Sequence, residues 1–241
     1  SSSVIAPNVD PRLGLVNLPF LFDSFDKLNR FRDNEALFAE YGAGAEKQGI
    51  KVVDFTGYGS YGWATNSPVT SLEDAKKMTF RIAQAPVNID LYRAWGLQFT
   101  VMPWPDVPQA LQTGVITGLD HTPIVCSISK KFTVAKNFTS IDYAQGLYIH
   151  LMNKRWFEKL PQDLQQILIR VIREESAKAR AMTEKQQQDE IATSRAAGVN
   201  FVELPEAEIA KLTDMAEPIV QKWGEKIGQD YLKRVREYLA E

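Results

Sequence analysis

The chain is poor in the residues that usually announce chemistry. One cysteine, Cys126, stands among 241 residues. No disulfide can form within the chain, and cysteine usage says nothing about redox compartment. A lone thiol can act as a nucleophile. Ile124, Val125 and Ile128 surround this one, and its expected role is a small apolar filler. His121 and His150 are the only histidines, and no Cys or acidic residues are spaced around both as zinc ligands are. Neither a metal nor a resident cofactor is expected. A basic surplus is missing too. With 28 Lys and Arg against 30 Asp and Glu the net charge is −2, so nucleic acid is not the expected partner. No apolar run approaches the roughly 18 residues of a spanning helix, so direct membrane insertion is not expected. The sequence holds no internal repeat and no low-complexity tract. It opens Ser1-Ser2-Ser3 without an initiator Met or a signal-peptide n-region, as a processed or partial chain would.

What is present is ordinary globular composition, 44% hydrophobic and 24% charged, enough for one large domain or two smaller ones. Short β-rich runs stand at Lys51–Phe55, Thr79–Ala83, Gln98–Met102, Val115–Leu119 and Gly146–Met152. Helical stretches lie between them. One spans about Lys27 to Gln48, stopped by Gly49. One opens at Ser71 with the capping box Ser71-Leu72-Glu73-Asp74. Others cover Pro86–Trp95, stopped by Gly96, and Pro105 to Gly114. This alternation predicts an α/β protein with largely parallel strands. From Pro161 to Ala197 there is neither Gly nor Pro, which predicts a helix on the order of 55 Å long. Its first half carries the apolar stripe Leu164, Ile167, Leu168, Val171 and Ile172, and its second half is polar. It is therefore expected to be core-facing at one end and to extend beyond one domain. A strand at Asn200–Glu203 and two amphipathic helices, about Pro205–Gly224 and Lys226–Leu239, finish the chain.

Three local patterns suggest chemistry. Gly57-Tyr58-Gly59-Ser60-Tyr61-Gly62 is a literal G-x-G-x-x-G after a strand. A nicotinamide-binding fold would need a helix opening at Gly62, whereas Pro68 and the late start at Ser71 favour a change of chain direction. Ser127-Ile128-Ser129-Lys130 matches the S-x-x-K of some serine hydrolases, but no S-D-N or K-T-G follows, and Lys130-Lys131 reads as solvated surface. A Ser-His-Asp grouping stays open, without a G-x-S-x-G to support it. Arg81 is the sharpest signal. It ends a strand just before a helix at Pro86, where a guanidinium fork beside a helix N-terminus can grip a carboxylate; a structural ion pair is the alternative.

Several stretches in order resemble a known family, the periplasmic solute-binding proteins of tripartite ATP-independent (TRAP) transporters, DctP-like. They are Leu18-Pro19-Phe20-Leu21-Phe22, Phe80-Arg81-Ile82, Gly96-Leu97, Met102-Pro103-Trp104-Pro105-Asp106-Val107 and Leu111-Gln112-Thr113-Gly114-Val115-Ile116-Thr117-Gly118, the last being the most specific. Leu151-Met152-Asn153-Lys154 and Trp156 to Pro161 resemble the approach to that family's long helix. The resemblance covers nearly the whole chain.

It implies a two-lobed α/β clamp with a hinge-spanning helix, working as a monomer in the periplasm. It would close on a small organic acid and deliver it to TRAP membrane permease subunits. Without catalytic residues it is not an enzyme; an enzyme or a sensory module on the same fold is the alternative. The lobes would comprise residues 1–58 (lobe I), 59–146 (lobe II) and 147–186 (return to lobe I with the first part of the long helix). Residues 187–241 would pack mainly on lobe II. Relative to the family, roughly 60–70 residues, about two βα units, are missing from the first lobe. Arg81 carries over as the carboxylate anchor, Trp104 as a pocket aromatic, and His121 and Gln84 as polar pocket positions. Tyr61 stands where the sialic-acid-binding branch has arginine, which argues against sialic acid. Thr117-Gly118 and Leu119-Asp120-His121 depart from the family's usual "DG" and "QEN". A closing clamp must pair the charge it buries, which Arg81 could do, and Trp104, Tyr61 and Trp63 could wall the ligand's body. Asn66, Asp120, Tyr143 and Gln145 complete the candidate set.

Overall fold

In the computed structural model, which describes residues 1–240, the chain begins with two 3-10 turns, Ser3–Asn8 and Pro11–Asn17. Helices α1 (Phe25–Asp33) and α2 (Glu35–Lys47) follow. The sequence suggested one helix here. Asn34 divides it, because its extended backbone (ψ 91°) ends α1 while its side chain accepts the Leu37 N–H and caps α2. Strand β1 (Ile50–Thr65) then crosses the molecule. After it come α3 (Leu72–Ala75), β2 (Thr79–Ile82), α4 (Pro86–Ala94), β3 (Gln98–Val101), α5 (Val107–Gln112), β4 (Gly118–His121) and α6 (Pro123–Ile128). Strand β5 (Asn137–Asn153) returns across the molecule to α7 (Lys154–Glu158) and the long α8 (Gln162–Ala196). Strand β6 (Asn200–Glu203), α9 (Glu206–Ile227) and α10 (Gln229–Ala240) complete the described chain.

The six strands form one sheet in the order β3-β2-β4-β1-β5-β6. β2 is parallel to β3 and β4, and β5 to β6, but β1 runs antiparallel to both β4 and β5. The sheet is therefore mixed rather than largely parallel. The reason lies in β1 and β5, which are far longer than their β-rich runs suggested. The glycine motif at 57–62 is not a turn or the start of a helix; it lies inside β1. Gly59 has φ +105° and sits at a slip in the β1–β5 register between Gly57 and Ser60. A Cβ at Gly62 would stand 2.5 Å from the Thr139 carbonyl oxygen, so the neighbouring strand requires glycine there.

Apolar side chains gather into three buried clusters. The first joins the opening turns, α1, α2, the start of β1 and the end of β5 with Val220, Trp223 and Ile227 of α9 and Tyr231, Leu232, Val235 and Leu239 of α10. The second lies around Tyr61, Trp63, Phe80, Tyr92, Trp95 and Tyr143, and receives Leu212 and Ala216 from the first half of α9. The third is built by α5, α6 and their strands. The C-terminal helices were expected to pack mainly on the second lobe; α9 contributes to both the first and the second cluster, and α10 packs with α1 and α2.

The long helix is present almost to the residue, but its packing is the reverse of the expectation. Leu164, Ile167 and Val171 of the apolar first half are 46%, 48% and 42% exposed. The polar middle is what packs on β1. Arg180 donates to Asp54 at 2.6 Å and to the Phe55 carbonyl at 2.8 Å, and Gln187 accepts the Ser60 N–H at 2.6 Å. Arg32 joins the same Asp54 at 3.0 Å, so one buried carboxylate ties α1, β1 and α8 together.

Candidate functional site

The parallel strands β2, β3 and β4 end on one edge of the sheet, and a cavity of about 340 Å³ opens beyond their carboxyl ends. Ligands of open α/β sheets bind in such a crevice. β2 brings Arg81, β4 brings Asp120 and His121, the turn after β3 brings Trp104, the middle of β1 brings Tyr58 and Tyr61, and the first turn of α4 brings Asn88. Ser2, Val4 and Ile5 of the opening segment, Ala83, Val125 of α6 and Tyr148 of β5 complete the lining.

Arg81 is buried, and its Nε donates to the Met102 carbonyl at 2.9 Å. That bond fixes the plane of the guanidinium. No carboxylate oxygen comes within 4.0 Å of it among the described residues, so the alternative of a structural ion pair is not realised. Burial lowers its pKa while the charge of Asp120 opposes that shift. Trp104 lies between two cations, with Arg81 Cζ 5.2 Å and Lys131 Nζ 4.6 Å from its ring centroid. Lys131 is thus buried against the Trp104 ring and is not the solvated residue its neighbour Lys130 is.

His121 packs against Trp104, with ring centroids 4.9 Å apart and planes tilted by 57°, and accepts the Thr122 backbone N–H on Nδ1 at 2.9 Å, which puts the ring proton on Nε2. Burial and the nearby positive charges of Arg81 and Lys131 push its pKa down to about 3, so it is a neutral hydrogen-bond donor at any ordinary pH. Burial pushes Asp120 the other way, up to about 6, against the hydrogen bonds of Tyr143, Asn88 and, more weakly, Tyr92 and against the charge of Arg81. Its Oδ2 accepts from Tyr143 at 2.8 Å and from Asn88 at 3.0 Å. The hydroxyls of Tyr58 and Tyr61 meet at 2.8 Å, and burial raises the pKa of both; Tyr58 reaches about 12.

Of the candidates read from the sequence, Arg81, Trp104, His121, Tyr61 and Asp120 meet in this cavity. Trp63 does not. It is wholly buried against Phe80 and Trp95, and its indole N–H donates to the Tyr92 hydroxyl at 2.9 Å, so it is core. The side chains of Gln84 and Asn66 are exposed and stand outside the lining. Tyr143 lies one layer behind, holding Asp120. Gln145 is buried on β5, where it accepts the Ser60 hydroxyl at 2.7 Å. Sequence reasoning missed Tyr58, Asn88, Tyr148 and Lys131. The spacing of Tyr58 and Tyr61 within one strand was the available signal for the first, but the glycines around it read as a turn.

Ser127 and Cys126, which carry the hydrolase and thiol readings, lie outside this cavity lining. Ser127 donates to the Glu190 carboxylate at 2.6 Å, and burial pushes the Cys126 thiol up. No group of three or more His, Cys, Asp or Glu is placed to hold a metal among the described residues.

The model of the bacterial extracellular solute-binding protein family 7, DctP, matches residues 1–226. The chain belongs to this DctP family. Among curated family members, the C4-dicarboxylate-binding periplasmic protein DctP of Rhodobacter capsulatus is 26% identical over 229 residues, 93% of this chain and 68% of that one. The same two-lobed fold recurs in solved TRAP solute-binding proteins. One from Ralstonia eutropha H16 with bound (S)-2-acetolactate superposes with a TM-score of 0.91 at 23% identity, covering 100% of this chain and 78% of that one. The ectoine-binding protein of the TeaABC transporter of Halomonas elongata superposes with a TM-score of 0.92 at 20% identity, covering 100% and 80%. The family is one of bacterial extracellular solute-binding proteins, and these two structures are solute-binding proteins of TRAP transporters. No helix among the described residues is long and apolar enough to cross a membrane.

Proposed function

We propose that this DctP-family chain is a periplasmic, monomeric, non-catalytic receptor. It captures a small organic acid through its carboxylate, closes its two lobes on it, and hands it to the membrane subunits of a TRAP transporter. One observation carries the reading: Arg81 is buried at the end of a strand, locked in plane through Nε, and free of any carboxylate within 4.0 Å among the described residues. A desolvated guanidinium held ready in a cavity is a fixed counter-charge for an anion, and its geometry favours the two parallel oxygens of a carboxylate. Neutral His121 adds a donor, and the rings of Trp104, Tyr58 and Tyr61 form the wall. The similar proteins bind acids or zwitterions by their own names: a C4-dicarboxylate, (S)-2-acetolactate and ectoine.

The test is to identify what the protein carries. Mass spectrometry of material released by denaturing the purified chain should find a small acid. Adding that acid back to refolded protein should raise its melting temperature at micromolar to millimolar concentration. A protein that releases no acid, and whose melting temperature no member of a broad acid panel moves, is not this receptor.

A further inference from the structure

We propose that Asn88 reads the body of the ligand. Its amide oxygen accepts a hydroxyl hydrogen from the bound acid, so the cleft prefers hydroxy acids to oxo acids of the same skeleton. The inference rests on the receptor reading and adds a second recognition point to Arg81.

Asn88 stands in the first turn of α4 and is part of the cavity lining. Its amide nitrogen donates to Asp120 Oδ2 at 3.0 Å and to the Tyr143 hydroxyl at 2.9 Å. Both of its hydrogens are thereby used. The Tyr143 hydroxyl spends its own proton on the same Asp120 oxygen at 2.8 Å. Each partner therefore shows Asn88 a lone pair, and turning the amide over would set oxygen against oxygen. The nitrogen is fixed towards this buried pair and the oxygen away from it. That oxygen has no hydrogen-bond partner among the described residues, yet it is not among the side-chain atoms sealed from solvent, as Asp120 Oδ1 is. Asn88 is otherwise buried, at 4% exposure, so the cavity is where its oxygen is reached. Asp120 and Tyr143 are positioning residues here: they decide which end of the amide the cavity sees.

The rest of the lining leaves this role open. Arg81, His121 and Trp104 have only N–H groups left to offer, since His121 Nδ1 is taken by the Thr122 N–H. The hydroxyls of Ser2, Tyr58 and Tyr61 are joined in a chain, at 3.2 and 2.8 Å. Asp120 Oδ2 already accepts twice. Among the side chains of the lining, Asn88 Oδ1 is thus the unspent acceptor that carries no proton of its own. An oxo acid enclosed in the cleft would leave it without a donor, whereas a hydroxyl satisfies it. A site built to hydrogen-bond a hydroxyl rejects the analogue that lacks one for this reason.

The experiment is calorimetry at neutral pH on the full chain freed of bound solute. One set of acids is pentanoate with a hydroxyl on the second, third or fourth carbon, each beside its oxo counterpart. The other is benzoate with a meta or para hydroxyl, each beside its fluoro counterpart. In the pair whose hydroxyl meets Asn88, the hydroxy acid should bind about tenfold or more tighter than its counterpart. Asn88→Leu, or Asn88→Ala should the first not fold, should bring that pair within about threefold. Asp120→Asn should narrow the same gap with Asn88 intact, because the amide is then free to turn. If neither Asn88 variant folds, a crystal structure of the wild type with the preferred hydroxy acid decides. A ligand hydroxyl on Asn88 Oδ1 supports the inference, and one bound elsewhere overturns it. No hydroxy preference in any pair that binds, or a preference that survives the loss of Asn88, also overturns it. A gap unchanged in Asp120→Asn overturns the positioning role. Acid binding without the preference leaves the receptor reading standing; failure of every acid to bind overturns both.

Discussion

Replacing Arg81 with Ala should separate binding from folding. In the free protein the guanidinium makes one hydrogen bond, Nε to the Met102 carbonyl, and lies 5.2 Å from the Trp104 ring centroid. Among the described residues it is a buried cation without a direct ion-pair partner, and truncation relieves a desolvated charge while giving up one bond and some packing. The net effect on stability should be within about 1–2 kcal/mol. In the bound protein the same truncation leaves the ligand's carboxylate in the cavity with no fixed cation. Breaking a buried charge pair by removing one partner costs about 3–5 kcal/mol, or roughly 150- to 5,000-fold in affinity. Arg81→Lys should fall between the two. It keeps the charge but loses the fork and the Nε bond that sets its plane, so a loss of about 1–3 kcal/mol is expected. Isothermal calorimetry with the acid recovered from the protein measures affinity, and urea unfolding of the free variants measures stability. An Ala variant that binds within threefold of the wild type, or one that unfolds several kcal/mol more easily while holding its ligand, would show that Arg81 is a structural residue.

Other perturbations have equally definite outcomes. Trp104→Ala should reorder the ligand ranking with little effect on melting, whereas Trp63→Ala should cost about 3–5 kcal/mol of stability in denaturant unfolding through the cavity it leaves; equal melting of the two variants would contradict the division into wall and core. Asp120 has a folded pKa near 6, above its ordinary 3.8, so the native state binds its proton more tightly than the unfolded chain. Its ionisation therefore opposes folding by up to about 3 kcal/mol above pH 6, and this penalty is relieved as pH falls towards 4. The stability of Asp120→Asn minus that of the wild type should accordingly shrink by this amount between pH 7 and pH 4, measured as paired urea midpoints; a pH-independent difference would rule the burial out. His121 runs in the opposite sense: with its folded pKa near 3, it favours unfolding as pH drops below 6.5, and its replacement by Gln should leave the protein more resistant to mild acid. Arg180→Ala strands the buried Asp54 with Arg32 as its remaining partner, and should lower stability by about 3–5 kcal/mol, visible as an earlier urea midpoint.

Much of this molecule is legible in its sequence where one local rule acts alone. The extent of α8 follows from the absence of Gly and Pro over that stretch. The position of Arg81 follows from a charged residue closing a short β-rich run before Pro86. The long strands are legible only in part, because their glycines answer to neighbours distant in sequence, such as the Thr139 carbonyl beside Gly62, and locally those glycines imitate a turn. The α8 stripe misleads for the opposite reason. Periodicity finds an apolar face but does not say what lies against it, and the buried face of this helix is carried by Ser176, Arg180 and Thr183. Within the site, the residues held by strand ends were found. Asn88 and Lys131 were not, since a polar residue in a first helical turn and one lysine of a pair look like surface until the fold brings the first to the cavity wall and the second against Trp104.

The slip between Gly57 and Ser60 has a mechanical meaning. Strands β1 and β5 run from the first apolar cluster to the second. Between the pairs Gly57–Leu147 and Ser60–Gln145 their ladder skips a residue, and beyond Ser60 it shifts again before Gly62 meets Ser140. A ribbon pinned on both sides of a gap acts as a flexure: twist collects where rungs are missing, and the stiff portions turn as blocks. The Ser60 hydroxyl to Gln145 and the Ser60 amide to Gln187 are the stitches nearest that gap. In the proposed clamp these few residues of the spine, some of them outside the cavity, are where the two ends of the ribbon would turn against each other.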